Sequence, residues 1–372
     1  MAGRNLPKVV RVPGPAAYAT YDVVAESASD AYLLVRPPGG LLAVSLYRTR
    51  DDGTTWHRIA LPTPVSGGYG LSRLRGGYLF LRTFAVDTEV PQFYVGDGNA
   101  WVQITPPGQG TGSLQMVDSR IGFYVITTTS AAPVSPELLI YRTQDSGHTW
   151  DLRLALRSDH PIGGGIQLAD ANRFISFSDA THGWMGVIPP SWGIVCGTPS
   201  SADPQQRLMA SQDGGETWTT VRLRDLPLGS TEIGTPFFPL QGPAGYLPIT
   251  ANTYVGQCPP AGITYLYGTL DGGVTWSGPR RPPAPVFDSP DGVNFWAFDG
   301  HQLFLSTNQG SSWRGIKPRL PAAAAAIQEL VVASVHTAWA VWSGPAGQPS
   351  RQMLLRTTDD GAHWSAVRLP GS

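Results

Sequence analysis

The chain has 372 residues, of which 41% are apolar and only 14% charged, and its formal net charge is −1. That balance excludes the basic footprint of a nucleic-acid binder. No apolar run approaches the ~20 residues of a membrane-spanning helix, and no His/Cys cluster or glycine-rich phosphate loop points to a metal, a cofactor or a nucleotide. The 44 glycines and 34 prolines are spread along the whole length, a composition of many short strands joined by many turns.

In chain order, Val10–Pro13 ("VRVP") reads as an outer strand, placed within an extra closing strand over residues 8–13. "YDVVAESASDAYLLV" then reads as a hairpin of two alternating apolar runs about a polar turn, and "LLAVSLYRT" and "WHRIALP" form a second hairpin around Tyr47–Trp56, "YRTRDDGTTW". A shortened copy, "VGDGNAW", carries Asp97, Gly98 and Trp101. Nearly the first ten letters return as Tyr141–Trp150, "YRTQDSGHTW". The pattern Ser/Thr-x-Asp-x-Gly-x-Thr-Trp recurs at Ser211–Trp218 and Thr269–Trp276, and more loosely at Ser306–Trp313 and Thr357–Trp364. Each full copy is preceded by its own hairpin: "LQMVDSRIGFYVI", "FISFSDATHGWMGVI", "VFDSPDGVNFWAF" and "LVVASVHTAWAVW" among them. A period of about fifty residues signals a repeat architecture with one supersecondary unit per copy.

The physics of the box is local. Asp51, Asp145, Asp213, Asp271, Asn308 and Asp359 supply oxygens for turn N–H groups. The glycine supplies a positive φ. Trp56, Trp150, Trp218, Trp276, Trp313 and Trp364 plug the space between neighbouring sheets. Four strands per unit and seven units predict an all-β, seven-bladed β-propeller over 1–372 as a single domain, with blades near 14–62, 63–105, 106–156, 157–226, 227–281, 282–320 and 321–372.

These boxes, with "DATHGW" at Asp179–Trp184 as a second signature, resemble the Asp-box (BNR) repeat of sialidase-like propellers. The whole chain is most similar to seven-bladed propellers of the photosystem II assembly and stability factor type. The resemblance implies a fold more than an activity, since one superfold hosts many functions. Through the sialidases it implies a possible N-terminal catalytic arginine, for which Arg11 is a partial match, although Leu/Val-Pro also simply ends outer strands elsewhere in the chain.

The box end of each blade reads as structural, so ligands are expected at the opposite end. There two connections are long: Pro189–Arg207 in blade 4 and Thr250–Gly262 in blade 5. Each holds one cysteine, Cys196 and Cys258, which predicts either a disulfide tying the two connections or two unrelated thiols. A disulfide implies an oxidising compartment, hence an extracytoplasmic chain whose leader is missing here, with the cytoplasm as the alternative. Trp192, Asp203, Arg207 and Tyr254 on these connections, with Arg157 and Asp159 on the connection between the third and fourth blades ("RSDHPIGGG"), are candidate ligand contacts; aromatics with a few polar groups suit sugars or peptides. Trp192 and Tyr254 equally well fill the base of a long loop. Candidate catalytic groups are Glu232, Arg11 and His160, with His160 also readable as a solvated loop residue. No acid/base constellation assembles from spacing alone, so the expectation is a monomeric, non-catalytic module that binds a protein partner or a glycan. An exo-sialidase-like glycoside hydrolase is the alternative.

Overall fold

The computed structural model describes residues 20–36, 44–62, 69–85, 88–108, 112–128, 137–157, 174–187, 207–227, 230–240, 242–253, 261–321, 326–343 and 352–368. Among the described residues there is no helix, and so none long and apolar enough to cross a membrane. The strands, β1 to β28 in chain order, pair into seven four-stranded sheets, each in up-and-down sequence. The sheets span 20–59, 69–104, 112–157, 174–221, 230–280, 286–316 and 326–366. This is the architecture of a seven-bladed β-propeller with antiparallel blades. The proposed strand at 8–13 lies outside the described residues.

By compactness the chain divides into two units. One comprises 1–71, 83–88 and 316–372 and so contains blades 1 and 7. The other comprises 72–82 and 89–315 and contains blades 3 to 6 with most of blade 2.

Within a blade, burial follows strand position. In blade 1 the second strand, β2 (Ala31–Arg36), is fully buried from Ala31 to Leu34. In blade 7 its counterpart, β26 (Ala338–Ser343), is fully buried from Ala338 to Trp342. Such strands are covered on both faces, so their sequences "AYLLV" and "AWAVW" are nearly continuously apolar. Several of the outermost strands are short and polar. β4 (His57–Ile59), β16 (Thr219–Val221) and β24 (Arg314–Ile316) each show two exposed residues and one half-buried. Short polar edges discourage pairing with another chain.

Aromatic side chains join neighbouring blades. Phe123 of blade 3 and Phe177 of blade 4 stack with centroids 3.5 Å apart and planes 3° from parallel. Trp56 of blade 1 meets Trp339 of blade 7 edge-on at 6.3 Å. Each fully buried ring among these contributes ~1.5–3 kcal/mol by burial, and each pair ~0.5–1.5 kcal/mol more.

One sequence boundary needs correction. In blade 5, β18 (Gly245–Thr253) and β19 (Ala261–Thr269) pair without interruption from Gly245↔Thr269 to Thr253↔Ala261. The connection expected over 250–262 is therefore only 254–260. The β-branched Ile249, Thr250 and Thr253 extend the ladder beyond the apolar run that marks it in the sequence.

Candidate functional site

The two ends of each blade differ in chemistry, and the box end is self-contained. In blade 1 the Thr49 hydroxyl donates to Asp51 Oδ1 at 2.9 Å and accepts the Gly53 N–H at 2.9 Å. The Thr55 N–H and hydroxyl donate to the two oxygens of Asp51 at 2.8 and 2.7 Å. The same set of bonds recurs around Asp145, Asp213 and Asp271. In blade 6 Asn308 takes the Asp place and donates to Ser312 Oγ at 2.9 Å. In blade 7 His363 takes the second Thr place, its Nδ1 lying 2.6 Å from Asp359 Oδ2. Blade 2 lacks the Ser/Thr, and its Asp97 only caps a tight turn through the N–H groups of Asn99 and Ala100.

Every box carboxylate is thus occupied by its own turn. The Thr149 hydroxyl, then the Thr149 N–H, pull the Asp145 carboxyl down to about 2. At Asp213 burial opposes ionisation, but the bonds from Thr217 and Ser211 outweigh it, again to about 2. The indole N–H groups of Trp150, Trp218, Trp313 and Trp364 donate to the carbonyl of the box glycine three residues back. A backbone bond then ties each box to the first turn of its own blade. Asp52, Ser146, Gly214, Gly272, Gln309 and Asp360 donate to the carbonyls of Ser29, Arg120, Thr181, Pro243, Val293 and His336. The two turns therefore share one end of each blade. The connections from second to third strand, and from one blade to the next, leave from the other end.

The innermost strands of three blades share a different feature. In blades 5, 6 and 7 these are β17 (Ser230–Ile233), β21 (Val286–Asp288) and β25 (Ala326–Val332). Each has a register shift: between Ser230 and Glu232, between Val286 and Asp288, and between Ile327 and Glu329. In all three the residue just after the extra one is acidic. A bulge re-aims the side chain that follows it and is often found beside functional sites.

Glu329 is the best defined of these. It is half-buried, and its Oε2 accepts the N–H of Val23 on β1 (Thr20–Ala25) at 3.4 Å. Burial, then the charge of Asp22 on β1, push its carboxyl up to about 7 against the opposing pull of the Val23 N–H. A half-buried acid raised by desolvation and a neighbouring like charge is a recognised mark of a functional group.

Of the residues singled out in the sequence, Arg11, Asp159, His160, Trp192, Cys196, Asp203, Tyr254 and Cys258 lie outside the described residues. Arg207 opens β15 (Arg207–Ser211) opposite Val187, and Arg157 closes β12 (Asp151–Arg157) opposite Glu137. Both backbone positions are at the end away from the boxes. Glu232 pairs with Thr250 directly after its bulge. Asp22, Asp288 and Glu329 were missed. An acid inside "AIQELVV" was the available signal, but the face it occupies depends on a bulge. Among the described residues no three His, Cys, Asp or Glu side chains gather as metal ligands.

No family model matches the chain. Over 91% of its length it is 25% identical to a probable oligoxyloglucan-reducing end-specific xyloglucanase of Neosartorya fischeri, and it spans about half of that protein, 46% of its length. Among solved structures it is similar to YCF48 bound to D1 peptide, with 16% identity, a TM-score of 0.47, and 94% of this chain and 95% of the other covered. It is also similar to an ancestral GH74 enzyme, with 11% identity, a TM-score of 0.49, and 95% and 46% covered.

Proposed function

We propose that this propeller is a non-catalytic module that binds a glycan at the blade end opposite the boxes. The observation that carries the reading is the chemical asymmetry of the blades. At one end the box carboxylates are consumed by their own turns. The connections 188–206 and 254–260, whose sequences hold Trp192, Asp203 and Tyr254, join strand ends at the other. Aromatic faces and a few polar groups suit a sugar, and the similarity to a protein named for xyloglucan supports that ligand class over a peptide. The box motif, read as an Asp-box, then serves only to hold the blade. A Cys196–Cys258 disulfide joining the two connections, and an extracytoplasmic location, belong to the same proposal.

The test is isothermal titration with xyloglucan oligosaccharides, other β-glucans and a panel of unstructured peptides, beside fluorogenic glycosides that include a sialoside. The expected result is binding of a neutral glycan, weakened about tenfold, or ~1.4 kcal/mol, by Trp192→Ala or Tyr254→Ala, with no turnover. Binding of peptides alone sinks the glycan reading. Turnover abolished by Glu232→Gln sinks the non-catalytic one.

A further inference from the structure

The seam between blades 3 and 4 is tied by polar side chains at two levels. Between the innermost strands, Gln115 of β9 (Gly112–Met116) reaches β13 (Phe174–Phe177). Its amide donates to the Phe177 carbonyl at 2.9 Å and accepts the Phe177 N–H at 2.8 Å. At the box end two arginines of blade 3 divide the work. Arg142, directly before the box threonine on β11 (Glu137–Thr143), donates to the Ala180 carbonyl in the first turn of blade 4 at 3.3 Å. Arg153 on β12 reaches the box of blade 4. It donates to the Asp213 carbonyl at 2.8 Å and the Gly214 carbonyl at 3.4 Å, and the Glu216 carboxylate lies 2.7 Å away.

In the blade 7–blade 1 seam one arginine serves both turns. Arg356 stands directly before the box threonine of β27 (Gln352–Thr357), the place that Arg142 has in blade 3. Its Nη2 donates to the Ala28 carbonyl in the first turn of blade 1 at 3.0 Å and to Asp52 Oδ1 in the box at 2.8 Å. Its guanidinium carbon lies 5.4 Å from the centre of the Trp339 ring, within cation–π range. Three residues after the box tryptophan, where blade 3 has Arg153, blade 7 has Val367. The side chain of Arg356 is mostly buried, and its bond to the carboxylate is charge-assisted, hence stronger than a neutral one.

We propose that Arg356 is the clasp of this seam, so that without it the box ends of blades 7 and 1 part locally while the blades themselves stay folded. Parts of one structure open at different free energies, and the surroundings of Arg356 confine the opening. The box of blade 1 closes on its own hydrogen bonds and needs no neighbour. Away from the clasp, Trp56 against Trp339 and Glu329 with the Val23 N–H still hold the two blades. In the blade 3–blade 4 seam the loss of one arginine leaves the other in place.

The test is native-state hydrogen exchange read by mass spectrometry on the full chain, with circular dichroism as the check on folding. Arg356→Gln is expected to speed exchange about tenfold, or ~1.4 kcal/mol, in segments 26–56 and 337–357, with the other blades unchanged. Arg356→Lys should fall between this variant and the parent, since an ammonium lacks the planar fork that covers a ring while bonding two oxygens. Asp52→Asn removes the charged partner, and asparagine tolerates the positive φ of 64° at that position; a smaller rise in the same segments is expected. Arg142→Gln or Arg153→Gln alone should leave segments 178–182 and 211–218 near the parent, and the double variant should speed both. Exchange in Arg356→Gln equal to the parent's overturns the proposal, and so does a rise spread evenly over all seven blades. An Arg153→Gln protein whose seam opens as far as that of Arg356→Gln overturns it too.

Discussion

The seam between blades 3 and 4 and the seam between blades 7 and 1 solve the same packing problem with opposite polar chemistry. Both are anchored by aromatic rings, Phe123 on Phe177 in one and Trp56 against Trp339 in the other. Both carry one polar side chain from innermost strand to innermost strand. In the first it is a neutral amide with both partners met. In the second it is an acid with one long bond and a like charge beside it. The difference separates what a blade seam must have from what it can vary. Apolar contact is the common part, and the polar tie is the part that varies, two bonds in one seam and a single long one in the other.

The largest effects should fall on the common part. Trp339→Ala and Phe177→Ala each remove a buried aromatic, and each is expected to cost ~3–5 kcal/mol in denaturant unfolding. A cost much smaller at one seam than at the other would show that the two are not held alike. Next comes the box glycine. Gly273 has φ +85°, and a Cβ there would lie 2.6 Å from the Trp184 ring. Gly273→Ala is expected to cost ~2–3 kcal/mol from strain and displaced packing; a loss under ~1 kcal/mol in the same assay would mean that the ring yields. The smallest effect falls on the polar tie. Gln115→Glu keeps the shape but loses the amide's donor to the Phe177 carbonyl, and is expected to lower stability by ~1 kcal/mol near neutral pH; a denaturant midpoint equal to the parent's would show that this tie contributes little to the seam.

The boxes set a limit on the acid side. The Asp145 and Asp213 carboxyls are held at about 2 against an ordinary 3.8. Folded-state values depressed in this way contribute stability that is present above the ordinary value and lost as the pH falls toward 2. Acid titration of the fold by circular dichroism should show it weakening in that window. Asp213→Asn should flatten the loss, and an unchanged profile would count against the box bonds as its source.

The fold was legible in the sequence because its rules are short-range. Thr49, Asp51, Gly53, Thr55 and Trp56 lie within eight positions, and a turn that satisfies itself so locally leaves a readable mark each time it recurs. The paired apolar runs placed the hairpins for the same reason. The inner-strand chemistry was not legible. Whether Glu329 faces a neighbour or solvent turns on the one-residue bulge after Ile327, and a shift of one residue reverses every side chain beyond it. Its partners Asp22 and Val23 lie more than three hundred positions away in the chain, so no local pattern joins them. The 250–262 connection was drawn too long because Thr250–Thr253 are polar in composition yet paired in the ladder.

The self-sufficiency of the box has an evolutionary consequence. A turn whose hydroxyl, carboxylate and backbone bonds all close within seven residues can be copied by gene duplication without a matching change elsewhere. A new blade arrives with its polar groups already paired and has only to offer an apolar face. The replacements Asn308 and His363 show that individual letters then drift while the geometry of the turn persists. The bulged acids of the innermost strands have no such independence. Glu329, for one, answers to a neighbouring blade through the Val23 N–H, so a copied blade would not bring that partner with it.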